Sequence, residues 1–303
     1  MENIILIFVC LLLGVFLQRV KDFPVNSHKA LNQFVIYISL PALALYYIPK
    51  IELSSKLLFP MAVAWIGFLF SFVFFWSLGK AFGWSKKLVG CLILVGGLGN
   101  TSFVGFPVIE ALYGREGLET AIVLDQTGSF LVLTTFGIIV ASMYSRDTPK
   151  ASLILRKVVL FPPFIAFIIG GTLNVFQIDF IETMQTVFQK LGGTVTPIAL
   201  IAVGLQLKIE RESKHWNFLA LGLFFKLILT PAFFYILYIL IFGQTGKIIE
   251  VSIMEAAMAP MITASILASS HGLKPKLSSM MIGFGIPLSF LTLAFWYWIL
   301  QTF

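Results

Sequence analysis

Apolar residues run in long blocks from one end of the chain to the other, with only short charged or Pro/Gly-containing joints between them. The blocks are 3–18, 30–48, 57–79, 88–112, 118–144, 155–176, 181–205, 216–242, 248–270 and 277–302. A helix needs about 20 mostly apolar residues to cross the hydrocarbon core, so the pattern predicts ten membrane-spanning helices. The longest joint is the basic stretch Ser145 to Lys157, midway along the chain, and no joint has room for a separate soluble domain. The first block lacks a basic n-region, carries Glu2 and is followed by Gln18-Arg19 rather than a small-residue cleavage site, which reads as a retained span and not a secretory signal.

Composition points the same way. The 303 residues are 58% hydrophobic and only 12% charged, with a mean hydropathy of +0.96, whereas soluble domains carry about 25% charged residues. The formal charge of +7 calls for no nucleic-acid partner, because membrane proteins gather Lys and Arg in cytoplasmic loops. Fifteen basic residues fall in the joints after odd-numbered spans, among them Arg19, Lys86, Lys87, Arg146, Lys150, Arg156, Lys157, Lys208, Arg211, Lys214 and Lys274. Four fall on the other face: Lys50, Lys56, Arg115 and Lys247. This asymmetry places the odd joints inside and both termini on the extracytoplasmic side of a cell (inner) membrane. Cys10 and Cys91 both sit in apolar spans and read as packing residues, and His28, His215 and His271 fall at joints without metal-ligand spacing.

The two halves resemble each other. Leu40-Pro41-Ala42-Leu43 in span two matches Thr196-Pro197-Ile198-Ala199 in span seven, and Pro107 in span four matches Pro260 in span nine, at offsets of 156 and 153 residues. Two pairs at nearly one offset predict an internal repeat, 1–150 and 151–303. An odd number of spans per repeat turns the second copy upside down, as in many secondary transporters.

The candidate chemistry lies where helices should fail. Gly96-Gly97-Leu98-Gly99-Asn100-Thr101-Ser102-Phe103-Val104-Gly105-Phe106-Pro107 holds four glycines, three consecutive polar residues and a proline. Such a stretch is poor material for a continuous helix. Broken backbone at membrane depth is tolerated only where protein or a water-filled cavity satisfies it. Its counterpart is Met254 to Ser265, again small residues around a proline, Pro260. Two crossing breaks would bring half-helix N-termini to mid-membrane, where exposed N–H groups and the positive dipole end attract an anion such as a carboxylate. Asn100, Thr101, Ser102, Thr263 and Ser265 would add side-chain hydrogen bonds there. Ionisable residues inside spans are costly and become functional candidates. Glu255 is the candidate for a coupling proton or ion, provided its span does not begin late enough to leave it at the surface. Asp125, followed by Gln126 and Thr127, reaches toward the same region. Lys226 is placed to pair with one of these carboxylates, to balance an anionic substrate, or to snorkel. Glu110 reads as a solvated or capping residue near the outer end of span four.

These residues resemble the auxin efflux carrier family, which contains the plant PIN-type auxin carriers and bacterial carriers of organic acids. The resemblance rests on Gly99-Asn100-Thr101, Gly105-Phe106-Pro107 and Tyr113-Gly114, then on Ala259-Pro260, His271-Gly272-Leu273-Lys274-Pro275, Ser278-Ser279 and Pro287-Leu288-Ser289. It implies an all-α membrane fold with a scaffold from spans 1, 2, 6 and 7 and a mobile transport domain from spans 3–5 and 8–10, the broken spans four and nine crossing at their prolines. It also implies that Asn100, Pro107 and Pro260 line the substrate site, that substrates are small organic carboxylates, and that the carrier is a homodimer working by an elevator-like movement. The long hydrophilic loop of many plant members is absent, and span three has no acidic residue, so any coupling to H+ or Na+ must use other groups. The runner-up is a sodium-coupled organic-anion symporter of the bile-acid type fold, which should place several acidic or amide residues around both crossovers. An enzyme is not expected: H-E-x-x-H and G-x-S-x-G are missing, Asp125 is the only aspartate well inside a span, and no cofactor motif is present.

Overall fold

The computed structural model describes residues 2–24, 26–52, 54–145, 159–207 and 215–302. Arg146, Lys150, Arg156, Lys157, Lys208, Arg211 and Lys214, on which much of the expected orientation rests, lie outside them. The described residues are all helical apart from turns and one isolated backbone bridge. The helices are α1 (Glu2–Leu17), α2 (Ser27–Lys50), α3 (Ser55–Ala81), α4 (Lys86–Gly97), α5 (Thr101–Tyr144), α6 (Pro162–Val175), α7 (Glu182–Gln206), α8 (Trp216–Ile241), α9 (Lys247–Ala256), α10 (Ile262–Ser270) and α11 (Pro275–Thr302). Six of them, α2, α3, α5, α7, α8 and α11, are long and apolar enough to cross a membrane. Large apolar side chains such as Leu69, Leu291 and Trp298 stand exposed along them, as a lipid-facing surface requires.

The sequence blocks 88–112 and 248–270 do not form continuous helices. The first is interrupted between Gly97 and Thr101 and the second between Ala256 and Ile262. Helix α5 spans the rest of the fourth block and all of the fifth, 44 residues. At about 1.5 Å per residue a straight rod of that length would be roughly twice as long as the hydrocarbon core is thick. Gly114 divides it, with φ +67° and ψ −157°, a conformation that residues with a Cβ rarely adopt.

The chain forms two compact units. Unit 1 holds α1, α2, residues 102–122 of α5, α6 and α7. Here α1 packs on α7 with Gly14 against Gly204, so closely that a Cβ on Gly204 would lie 2.8 Å from the Gly14 Cα. Small residues allow this approach in lipid, where packing replaces the hydrophobic effect as the force between helices. Helix ends in this unit are closed by amides: Asn174 Nδ2 donates to the carbonyls of Ile48, Pro49 and Ile51 at 3.1, 2.9 and 2.8 Å. Gln18 Nε2 donates to Gly204 O at 2.7 Å. These side chains supply donors to carbonyls that a helix end leaves open.

Unit 2 holds α3 from Lys56, α4, α5 from Val123, and α8 to α11. A phenyl cluster joins α3 (Phe70, Phe74, Phe75) to α8 (Phe225, Phe233), with Phe75 and Phe225 fully buried and ring centroids 4.7 to 5.1 Å apart for the close pairs. Helix α8 also contains Pro231, which has no N–H to offer Leu227, four residues back. Two features compensate. The backbone takes a π-helical turn over Phe225–Leu229, and Trp296 Nε1 donates to Leu227 O at 3.0 Å.

Candidate functional site

The two helix breaks of unit 2 meet. Gly99 and Pro260 form an antiparallel bridge: Asn100 N donates to Ala259 O at 2.7 Å and Met261 N donates to Leu98 O at 2.9 Å. Each break therefore satisfies the other, the condition under which non-helical backbone survives at membrane depth. The sequence explains why both fail where they do. Gly96 and Gly97 end α4, and Leu98 is extended (φ −116°, ψ 130°). Pro260 cannot donate to Ala256 O, which would be its partner in a continuous helix, and α9 ends at Ala256.

The carbonyl that Pro260 orphans is taken up by a side chain. Lys226 Nζ donates to Ala256 O at 2.9 Å, at the negative dipole end of α9, a position that favours the ammonium form. The same ammonium lies against Gly99, where a Cβ would come within 3.0 Å of Nζ. Gly99 is thus the residue that lets the bridge and the ammonium share one place. Lys226 is 2% exposed, and of the alternatives left open by the sequence it neither snorkels to the surface nor donates to the Glu255 carboxylate.

Two carboxylates complete the cluster and are treated differently. Asp125 Oδ1 accepts from Thr101 Oγ1 at 2.5 Å and Oδ2 accepts from Gln126 Nε2 at 2.8 Å. Glu255 is 1% exposed, and among the described residues neither carboxylate oxygen has a hydrogen-bond partner. Its depth, undetermined by sequence, is therefore the interior of unit 2, and Asp125 and Lys226 are the charged groups acting on it. Thr101, Asp125 and Lys226 each lie in a π-helical turn, Thr101–Gly105, Asp125–Ser129 and Phe225–Leu229. Such turns frequently mark functional sites, because one extra residue per turn re-aims a side chain.

Other sequence candidates spread out. Asn100 is buried beside the bridge, 2% exposed, and Pro107 and Pro260 are buried, while Ser102 is partly exposed. Thr263 is exposed on the first turn of α10, and Ser265 is engaged with the Ser278 hydroxyl at 2.6 Å. Glu110 belongs to unit 1, where Oε2 accepts from Thr196 Oγ1 at 3.2 Å. It lines a cavity of about 500 Å³ with Tyr46, Tyr47, Arg115 and Lys190, and Arg115 donates to Tyr46 Oη at 3.1 Å. Neither this cavity nor the donation of Gln126 to Asp125 is among the features the sequence pattern predicts. Gln126 beside an intramembrane aspartate was the available signal; the cavity had none.

The geometry belongs to a polytopic membrane protein with a polar, charge-bearing crossover inside an apolar helical unit. The family model for membrane transport proteins, the auxin efflux carrier family, matches residues 1–297, and the chain belongs to that family. It is similar to an uncharacterized transporter of Methanocaldococcus jannaschii, 29% identical over 99% of this chain and 98% of that protein. It is also similar to an uncharacterized transporter of Methanothermobacter thermautotrophicus, 28% identical over 97% and 96% of the respective chains.

Proposed function

We propose that this protein is a secondary carrier that moves small organic carboxylate anions across the cell membrane by elevator-like alternating access. Its ten spans form two inverted five-helix repeats, with both termini on the extracytoplasmic side. The observation that carries the reading is the bridge of Gly99 with Pro260, which holds two helix breaks together in an apolar unit. A membrane protein tolerates such a break for a reason, and in carriers the reason is a substrate site of backbone dipoles. The first turn of α10 leaves N–H groups without intrahelical acceptors, a favourable setting for a carboxylate. Within unit 2, Asn100, Thr101 and Thr263 are the side chains assigned to the substrate, and Pro260 shapes the backbone there.

Proteoliposomes with labelled malonate and malate provide the test. Saturable uptake that other carboxylates compete for, reduced about tenfold or more in a normally folded Asn100→Ala variant, is the expected result, since a hydrogen bond to a charged group contributes about 1.5–3 kcal/mol. Uptake of cations or neutral solutes alone, or an Asn100→Ala variant that transports normally, contradicts it.

A further inference from the structure

We propose that Glu255 is a proton-binding site of unit 2: it holds a proton in the state seen here, and its ionised form takes Lys226 as partner in another state of the cycle.

The buried cluster contains one ammonium, Lys226, and two carboxyl groups, Asp125 and Glu255. With Lys226 as the ammonium, one carboxylate balances it, and a second would bury a net charge, which is strongly unfavourable. Hydrogen bonding says which. Asp125 accepts from Thr101 and from Gln126, one donor on each oxygen, the arrangement that stabilises a carboxylate. Glu255 accepts from nothing at either oxygen, and an ionised carboxylate without donors does not persist in an apolar interior. Lys226⁺ and Asp125⁻ then balance, and Glu255 is the neutral acid.

Among the described residues, the elements packed on α9 bring no other charged group to the cluster. Helix α9 packs against α3, α8 and α11. From Leu58 to Gly79, α3 has no ionisable side chain; Lys56 is exposed in its first turn and Lys80 lies in its last. Besides Lys226, α8 carries the phenols Tyr235 and Tyr238, the latter donating to Phe59 O at 2.8 Å. On α11 the titratable groups are Lys276 in the first turn and Tyr297. On α9 itself, Lys247 is exposed in the first turn and Glu250 accepts from Gln301 at 2.8 Å on the exposed side.

Lys226 makes the switch possible. It now donates to Ala256 O, the carbonyl next in sequence to Glu255. When the Glu255 proton leaves, the ammonium is the adjacent partner for the new carboxylate, and the crossover loses its cap on Ala256. Proton exchange is in this way tied to the backbone that holds the two breaks. The ion that leaves and returns in this reading is the H+ of the Glu255 carboxyl group, and the ammonium beside it is the partner of the vacated carboxylate.

Infrared spectroscopy of the purified protein tests the proton without any substrate. At neutral pH the wild type is expected to show a carboxylic-acid C=O band that shifts in D2O, is lost in Glu255→Gln and survives in Asp125→Asn. Glu255→Asp, which keeps a carboxyl group, moves the band and covers the case in which Glu255→Gln does not fold. Absence of the band from the wild type, or its full retention in Glu255→Gln, overturns the proposal. The coupling role rests on the carrier reading and has its own readout: the ratio of malonate uptake with and without an imposed pH gradient. That ratio exceeds one in the wild type, is unchanged by replacing sodium with potassium, and falls to one in Glu255→Gln. A sodium requirement, or an unchanged ratio in Glu255→Gln, removes the coupling role. Failure of the wild type to move any carboxylate counts against the carrier reading, while the infrared result still decides the proton site.

Discussion

Lys226 donates to the carbonyl of Ala256 at 2.9 Å, replacing the backbone N–H that Pro260 does not have. A side chain thirty positions earlier in the sequence thereby completes a helix end inside the membrane. Lys226→Met leaves that carbonyl buried without its donor and removes the cation that balances Asp125. An unsatisfied buried polar group costs about 1–3 kcal/mol, so Lys226→Met is expected to lower the melting temperature clearly. Lys190→Met, at an exposed position, is expected to leave it unchanged, and a light-scattering melt of the two variants in one detergent compares them.

Thr101 and Asp125 form the second relationship that a single atom can test. Thr101→Val keeps the shape and removes the hydroxyl that donates to Oδ1 at 2.5 Å. Loss of a hydrogen bond to a charged group is expected to destabilise unit 2 by about 1.5–3 kcal/mol. Thr101→Ser, which restores the donor, should recover most of that loss in the same melting assay.

Trp296 closes the gap that Pro231 opens in α8. Trp296→Phe retains an aromatic ring but not the N–H that reaches Leu227 O at 3.0 Å. A loss of about 1–3 kcal/mol is expected. Trp298→Phe is the control, because Trp298 is exposed and has no such task in view of its lipid-facing position; its melting temperature should match the wild type.

The contact of Gly14 with Gly204 makes a prediction for unit 1. A methyl group on Gly204 meets the Leu11 carbonyl and the Gly14 Cα, both backbone atoms that cannot rotate away. Gly204→Ala is therefore expected to cost about 1–3 kcal/mol through overpacking. Gly171→Ala, where nothing lies within 4 Å of an added Cβ, should be neutral or slightly stabilising when the two proteins are melted side by side.

The helical character and the two interruptions were legible in the sequence because each has a local cause. Long apolar blocks leave helix as the structure that satisfies its own backbone in lipid, and the run Gly96, Gly97, Gly99 and the proline at 260 weaken the helix at those two places. The pairing of Asn100 with Ala259 was not legible, since it joins segments some 160 residues apart and depends on packing. The π-helical turns at Thr101, Asp125 and Lys226 were hidden too, because one extra residue in a turn shifts the facing of a side chain without altering an unbroken apolar pattern. For the same reason sequence could bring Thr263 to the second break but not give its exposure on the first turn of α10. Glu255 was recognisable as an ionisable residue near a break; its burial, and the lack of donors around it, required the neighbouring helices.

The most direct test of a carboxylate site at the crossover is the melting temperature of the purified protein with and without malonate, malate and acetate, in wild type and Asn100→Ala. A ligand at about a hundred times its dissociation constant stabilises the folded state by about 2.7 kcal/mol, so at least one carboxylate should raise the wild-type melting temperature and leave that of Asn100→Ala unmoved. Equal shifts in both proteins, or no shift with any carboxylate while cations or neutral solutes stabilise the wild type, would contradict an anion site built around Asn100.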